Sequence, residues 1–252
     1  PKLQLANTGI IYVAGQFDEY TLTVSNPIVT SGLILYLNSS ITSSYPGSGT
    51  TWTDLSGNNN TGTLVGSPAY SSADGGSIVF DGTNDEVTTT TFFTNPQTFS
   101  IGVWFKTSVA SGKKLVGFQA TQTGSSSSYD RMIYMGTNGK LYFGVYDGTT
   151  NTAISPLTYN DNVWHYAVAT YGGEGTTMRL YIDGQSVATA TASNAEVYNG
   201  YWRIGAFNLT AWPSASNGYF SGNISIIQIY SRGITSTEVL QNFNADRGKY
   251  GI

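Results

Sequence analysis

The chain has 252 residues, 40% hydrophobic and 13% aromatic but only 10% charged, with a net charge of −4, so one large all-β domain is affordable and its solubility rests on neutral polar groups. The eleven Lys and Arg are scattered singly apart from Lys113 and Lys114, which leaves no clustered basic face for nucleic acid. No apolar run approaches the roughly 18 residues of a membrane helix, and zero cysteines exclude disulfides, thiolate nucleophiles and zinc-thiolate sites.

Residues 1–30 carry strand signals of their own: KLQL, the turn residues Asn7-Thr8-Gly9, IIYVA, and YTLTV from Tyr20 to Val24. An Asn-x-Gly loop between apolar runs predicts a small hairpin or irregular β arm, with an extra edge strand of the next domain as the alternative. Pro27 and Ser31-Gly32 mark the boundary. The opening PKLQLANTG has no basic segment followed by an apolar stretch, so no secretory signal is read there.

From Gly32 onward the pattern is strand, turn, strand. Short or alternating apolar runs appear as LILYL, SIVF, FSIGVWFK, KLVGF, RMIYM, LYFGVY, HYAVATY, MRLYID, RIGAF and ISIIQIY, separated by Gly, Asn, Asp and Ser clusters. That succession predicts a two-sheet antiparallel jelly roll. Asn138-Gly139 and Asp183-Gly184 each favour positive φ at a turn centre and predict hairpins. Near the end, Thr235-Ser236-Thr237-Glu238 has the spacing of a capping box, and Val239, Leu240 and Phe243 fall on one face of a helix of about three turns. Four N-x-[ST] sequons, at Asn38, Asn59, Asn208 and Asn223, are what chance produces in a chain this rich in Asn, Ser and Thr.

Three stretches carry a resemblance. The run YPGSGTTWTDLSGNNNTGTL (Tyr45 to Leu64), the pair VWHYAVATY and MRLYIDGQSV, and the ending NFNADRGKYGI (Asn242 to Ile252) are similar to laminin G-like, concanavalin A-type domains, in the version found in structural proteins of tailed bacteriophages. Thr8-Gly9 to Phe17-Asp18-Glu19 resembles the opening of such proteins, and the matches otherwise cover roughly residues 32 to 252.

The resemblance implies an all-β, two-sheet antiparallel sandwich over residues 31–252, preceded by the β arm of residues 1–30 and closed by a short helix, with a C-terminus at the family's usual ending. It also implies a non-enzymatic virion protein, assembled in the host cytoplasm and exposed on the capsid or tail. Such a protein decorates or stabilises the particle and contacts host glycans. Its partners are other virion proteins, reached by strand addition through the arm, and its expected state is a homo-oligomer, first a trimer. The alternative is a carbohydrate-binding module or adhesin, on a virion or secreted by a bacterium.

Jelly rolls of this type include glucan hydrolases, whose retaining mechanism needs two carboxylates about 5 Å apart on one strand. None of the five Glu shares a strand with another acid two or four positions away, so an enzyme is not expected. His165, the one histidine, directly follows Trp164 in the family strand and reads as structural. Calcium binding in the relatives uses an Asp ending the first strand and another after the late F-S-G motif; here Asn38 and Ser225 stand there. Asp81, Asn84 and Asp85 in FDGTND remain as a possible calcium cluster, although Asp81-Gly82 equally forms a tight turn.

For carbohydrate, rings stack on sugar faces while Asn, Asp and Ser bind hydroxyls. The candidate loop is FNLTAWPSASNGYF, with Asn208, Tyr219 and a Trp212 that has no evident core to enter. Tyr129 and Asp130, ending QATQTGSSSSYD, form the facing wall. Trp52, Trp104, Trp164 and Trp202 are read as core.

Overall fold

The computed structural model describes residues 27–173 and 177–252. The arm expected over residues 1–30 therefore lies almost wholly outside the described residues. Pro27–Thr30 already pack on the domain: the Val29 N–H donates to Asn242 Oδ1 (2.8 Å) and the Tyr230 hydroxyl to the Val29 carbonyl (2.9 Å).

The first apolar run forms β1 (Leu33–Asn38), and the polar loop beyond it contributes the short β2 (Thr51–Trp52). Then come β3 (Gly62–Val65), β4 (Ala69–Ser71), β5 (Ser77–Asp81) and β6 (Glu86–Thr89). The middle of the chain supplies β7 (Phe99–Lys106), β8 (Lys114–Gln119), β9 (Tyr129–Met135), β10 (Lys140–Tyr146), β11 (Thr150–Thr158) and β12 (His165–Tyr171). β13 (Thr177–Ile182), β14 (Gln185–Thr191), β15 (Tyr201–Ile204) and β16 (Ser221–Tyr230) lead into helix α1 (Ser236–Asp246).

The strands form two antiparallel eight-stranded sheets, the expected concanavalin A-like jelly roll. One runs β14-β13-β12-β7-β16, after which the far edge of β16 is shared by β5 and β1 and β4 closes on β5. The other runs β11-β10-β9-β8-β15-β6-β3-β2. At Asp183-Gly184 both residues take positive φ (50° and 81°), as the dipeptide predicts. At Asn138-Gly139 only Gly139 does (76°), because Asn138 instead accepts the Lys140 N–H through its side chain (3.1 Å).

Alternation sorts the side chains. On β7, Phe99, Ile101, Val103 and Phe105 enter the core between the sheets, with Trp52 and Trp202. Trp104 points the other way, into a second core beneath α1 with Trp164, Tyr166, Val239 and Phe243. Its ring stacks on Tyr250 (4.3 Å between centroids) and Tyr166 (5.2 Å). All four tryptophans read as core are core. β7 is apolar on both faces because both faces are covered, and each large apolar side chain so buried stabilises by roughly 1.5–3 kcal/mol.

Helix α1 begins as its sequence predicts, with Thr235 accepting the Glu238 N–H while the Glu238 carboxylate accepts the Thr235 N–H. Arg232 pairs with that carboxylate at 2.6 Å, and its hydrogen bond holds the Glu238 carboxyl down at about 2. The buried face differs from the expectation: Val239, Asn242, Phe243 and Asp246 face inward, and Leu240 is 40% exposed. Asn242 wins the inward place because it bonds both Val29 and the Tyr230 hydroxyl (2.9 Å). Thr235→Ala is expected to cost about 1 kcal/mol in urea unfolding, with unchanged slope; no loss would mean that Arg232 alone anchors the helix start.

Candidate functional site

Strand β10 alternates between two surroundings. Leu141, Phe143 and Val145 enter the inter-sheet core, whereas Tyr142 and Tyr146 belong to a third apolar cluster on the outer face. Gly144 lies between those two tyrosines, and over it sits the indole of Trp212: a Cβ there would stand 2.5 Å from Trp212 Cζ3. Trp212 is only 6% exposed and packs with Met132, Tyr134 and Leu209. This corrects the expectation of a ring outside any core. Trp212 has a core of its own, made by its loop and the outer face of the sheet.

The loop is pinned along its length. Tyr134 donates to the Pro213 carbonyl, Thr137 N–H to Ser214 and Ser216 N–H to Gly112, each at 2.8 Å. Asn208, Ala211 and Ser214 all take left-handed φ (76°, 71° and 55°), a strained conformation for residues with a Cβ that persists only when the surroundings over-determine it. Asn208 does not face solvent. Its Oδ1 accepts from Gln119 Nε2 and the Ser126 N–H (both 3.1 Å), so it ties the two loops together and is corrected from ligand to brace. Tyr219 packs on Phe207 (5.3 Å between centroids), away from Trp212.

Where this loop meets β9, β10, β11 and the 192–200 connection, a cavity of about 270 Å³ opens. Tyr129, Tyr146 and Trp212 supply aromatic surface, Ser127, Thr150 and Thr210 hydroxyls, and Glu196 a carboxylate, with Ala211 completing the wall. The structure thus brings together Trp212 and Tyr129 as the sequence predicts. Tyr146, Thr150 and Glu196 were not foreseen; Gly144 inside a strand was the available signal, since glycine there marks a close approach.

Asp130 lies behind the cavity, fully buried, and does not line it. Its carboxylate pairs with Arg131 and lies 2.8 Å from the Tyr198 hydroxyl. Its Oδ2 accepts the backbone N–H groups of Glu196 (3.2 Å) and Tyr146 (3.3 Å). Two cavity residues are therefore positioned by one carboxylate, and Asp130 is corrected from a sugar contact to a positioning group. Burial pushes its carboxyl up to about 6 against the opposing pull of Arg131 and these donors. Arg131 is also fully buried and takes φ 49° at a bulge in β9. From there it reaches the Pro96 carbonyl (2.8 Å), Asn95 (3.2 Å) and the Glu196 carbonyl, with its guanidinium over Tyr198 (4.8 Å). Lys114, also fully buried, donates to the Phe207 carbonyl (3.1 Å); burial and then the Arg203 charge pull its ammonium well below the usual lysine range.

The remaining sequence candidates have local partners. Asp81 accepts the Thr83 N–H (2.7 Å) and Asp85 the Asp81 N–H (3.0 Å), so FDGTND is a carboxylate-capped turn. Burial raises the Asp85 carboxyl. Asn84 presents its backbone against Gly66, and among the described residues no three His, Cys, Asp or Glu stand together as a metal site. Asn38 bonds Ser40 and Tyr36, while Ser225 donates to the Gly76 carbonyl (2.6 Å), so neither position supplies a carboxylate and both side chains are already bonded. His165 sits between Asp183 (2.8 Å) and Asp161 (3.3 Å) against Tyr159. Burial would lower its pKa, but the two carboxylates outweigh that and raise it. Another hollow of about 300 Å³, beside the start of α1, is lined by Thr170, Arg179, Tyr181 and Thr235 among others, with Tyr181 as the one aromatic residue among the described lining.

A family model described as the concanavalin A-like lectin/glucanases superfamily, of laminin G type, matches residues 81–240. The chain belongs to this family. No curated protein sequence matches it. Among solved structures, the binding domain of Paraclostridial mosquitocidal protein 1 superposes with TM-score 0.60 at 16% identity, over 85% of this chain and 52% of that one. Domain 4 of AbnA, a GH43 extracellular arabinanase from Geobacillus stearothermophilus solved with arabinotriose, gives 0.56 at 15% identity, over 84% and 98%. The binding domain of botulinum neurotoxin DC in complex with SialylT gives 0.61 at 15% identity, over 86% and 52%. The family member described here thus spans about half the length of the two toxin chains, and at these identities the likeness concerns the fold.

Two variants test the build of the site. Arg131→Met leaves the Asp130 carboxylate buried without its partner and is expected to cost roughly 3–5 kcal/mol. The deficit should be smaller at pH 5 than at pH 8, because a carboxyl whose folded pKa is raised loses stability as pH climbs through that value; urea unfolding at both pH values checks it, and a pH-independent deficit would exclude the unpaired carboxylate as its cause. Gly144→Ala forces the Trp212 ring off its seat and is expected to destabilise by about 1–3 kcal/mol, with a changed indole emission. Unchanged emission and stability would show that the loop moves freely.

Proposed function

We propose that this chain is a non-enzymatic carbohydrate-binding domain whose ligand sits in the cavity of Tyr129, Tyr146, Trp212 and Glu196. The observation that carries the reading is the convergence of three rings, three hydroxyl side chains and one carboxylate in a single concave site, which is the chemistry of sugar recognition: rings for the apolar face, hydroxyls and carboxylate for the hydroxyls. AbnA domain 4 with its arabinotriose and the toxin binding domain with SialylT support glycans as the ligand class for this fold. The same cavity argues against hydrolysis. Its described lining holds one carboxylate, and Asp130 behind it is buried and paired with Arg131, whereas the family's retaining chemistry needs two facing acids.

The likeness of Tyr45–Leu64 and of the final residues to tailed-phage structural proteins supports a setting on the exterior of a virion, capsid or tail. There the domain, as a homotrimer, decorates the particle and contacts host-surface glycans, with residues 1–30 as the anchor. A secreted bacterial module or adhesin is the second setting compatible with a glycan site. Antibody labelling of intact particles separates the two.

The test of the site is a glycan array probed with the native chain and with Tyr146→Ala. Native binding to at least one oligosaccharide, weakened about tenfold or more by loss of the stacking ring while the variant still unfolds cooperatively, is the expected outcome. Trp212→Ala serves as the contrasting variant, since it should unseat the loop and lower stability as well. No hits, or sugar release from any polysaccharide, would overturn the proposal.

A further inference from the structure

We infer that the cavity selects uncharged glycans and rejects acidic ones. The inference rests on the carbohydrate reading of the site and goes beyond it by naming the ligand class. Among the described residues, Glu196 is the single acid in the lining, and no Lys or Arg side chain accompanies it. Its position is fixed from both sides of the backbone: Asp130 holds its N–H and Arg131 its carbonyl. One carboxylate oxygen, Oε1, accepts the Ser128 hydroxyl (3.1 Å). A carboxylate held this firmly accepts hydrogen bonds from sugar hydroxyls, and it repels a second carboxylate brought to the same depth.

The surrounding charges reinforce this. Asp147 directly follows Tyr146 and lines an adjoining hollow with Asn151 and Ser193. The Ser193 N–H (2.8 Å) and the side chains of Thr149 and Asn151 bond it, which holds its carboxyl down at about 2 and keeps it negative. The cations nearby do not reach the cavity. Arg131 is buried in its bonds to Asp130 and three loop acceptors. Arg203 is buried against Glu86 and the Gly124 carbonyl. Lys114 lies beneath the Tyr129 ring, 5.8 Å from its centroid, bonded to a backbone carbonyl. An acidic glycan entering here would meet the Glu196 carboxylate with Asp147 beyond the rim and, among the described residues, no cation in the lining, and like-charge juxtaposition is what suppresses a wrong ligand.

The cavity is also small. At about 270 Å³ it lies just below the usual range of roughly 300–1,000 Å³ for small-molecule sites, which suits the terminal units of an oligosaccharide more than an internal stretch of a long chain.

The experiment is a calorimetric titration of the full chain with matched probes: lactose against sialyllactose, and arabinotriose and maltotriose against trigalacturonate. The neutral member of each comparison is expected to bind about tenfold or more tightly. Glu196→Gln keeps the shape and the Ser128 contact while removing the charge, and it should shrink the ratio of neutral to acidic affinity to about threefold or less, whatever it costs the neutral probe itself. Equal or tighter binding of the acidic probes by the native chain, or a preference untouched by Glu196→Gln, overturns the inference and leaves the glycan site standing. Failure of every probe to bind overturns both.

Discussion

The buried ion pair of Asp130 and Arg131 is the constraint on which the candidate site depends. In a chain with few charged residues, placing two of them where solvent cannot reach is costly unless every lone pair and N–H finds a partner. Here they do. The guanidinium bonds the 95–96 loop and the 196 carbonyl, the carboxylate takes backbone N–H groups from residues 146 and 196, and Tyr198 packs on both. The bulge that puts Arg131 at φ 49° turns the side chain inward, and a local defect in β9 thereby becomes the junction of three connections. Glu196 and Tyr146 are where they are because that junction is rigid.

A second constraint is that both sheets are covered on their outer faces. Helix α1 and Tyr250 cover one around Trp104, and the 205–220 loop covers the other around Trp212. Strands buried on both sides lose the alternation of apolar and polar residues that marks a sheet with one wet face, which explains why β7, β9 and β16 read as nearly continuous apolar runs. The cover on the second sheet is a loop, so its backbone groups need individual partners, and the dense bonding of Asn208, Gln119 and Tyr134 supplies them.

This arrangement also explains what could be read from the sequence. The strands with apolar runs, the Asp183-Gly184 hairpin and the capping box were legible because each is specified by neighbouring residues. β11 was not, since TNTAISPLT has no apolar run and carries Pro156, which a sheet tolerates at an edge or a bulge, and β11 is an edge strand with a register shift there. Trp212 and Tyr129 were legible as a pair of walls, yet the burial of Trp212 was not, because its seat is Gly144 on another strand. Asp130 looked like a ligand for the same reason: its partners Tyr146 and Glu196 are distant in sequence, and no local pattern announces that a carboxylate will bond backbone rather than substrate. Leu240 and Asn242 exchange roles on α1 for a similar cause, a contact with Val29 some two hundred residues earlier.

The chemistry of the surface then decides how such a site can work. With little charge on the exterior, long-range electrostatic steering of a ligand is weak, and affinity must arise from short-range contact with a surface already in place. The three left-handed residues around Trp212 store strain that the surrounding bonds hold fixed, so the aromatic wall is set before a ligand arrives and little ordering remains to oppose association. A rigid, ring-lined cavity with one anchored carboxylate in its described lining is suited to adhesion by shape. The pairing of Asp130 with Arg131 meanwhile commits that carboxylate to holding the wall from behind, through the backbone of residues 146 and 196.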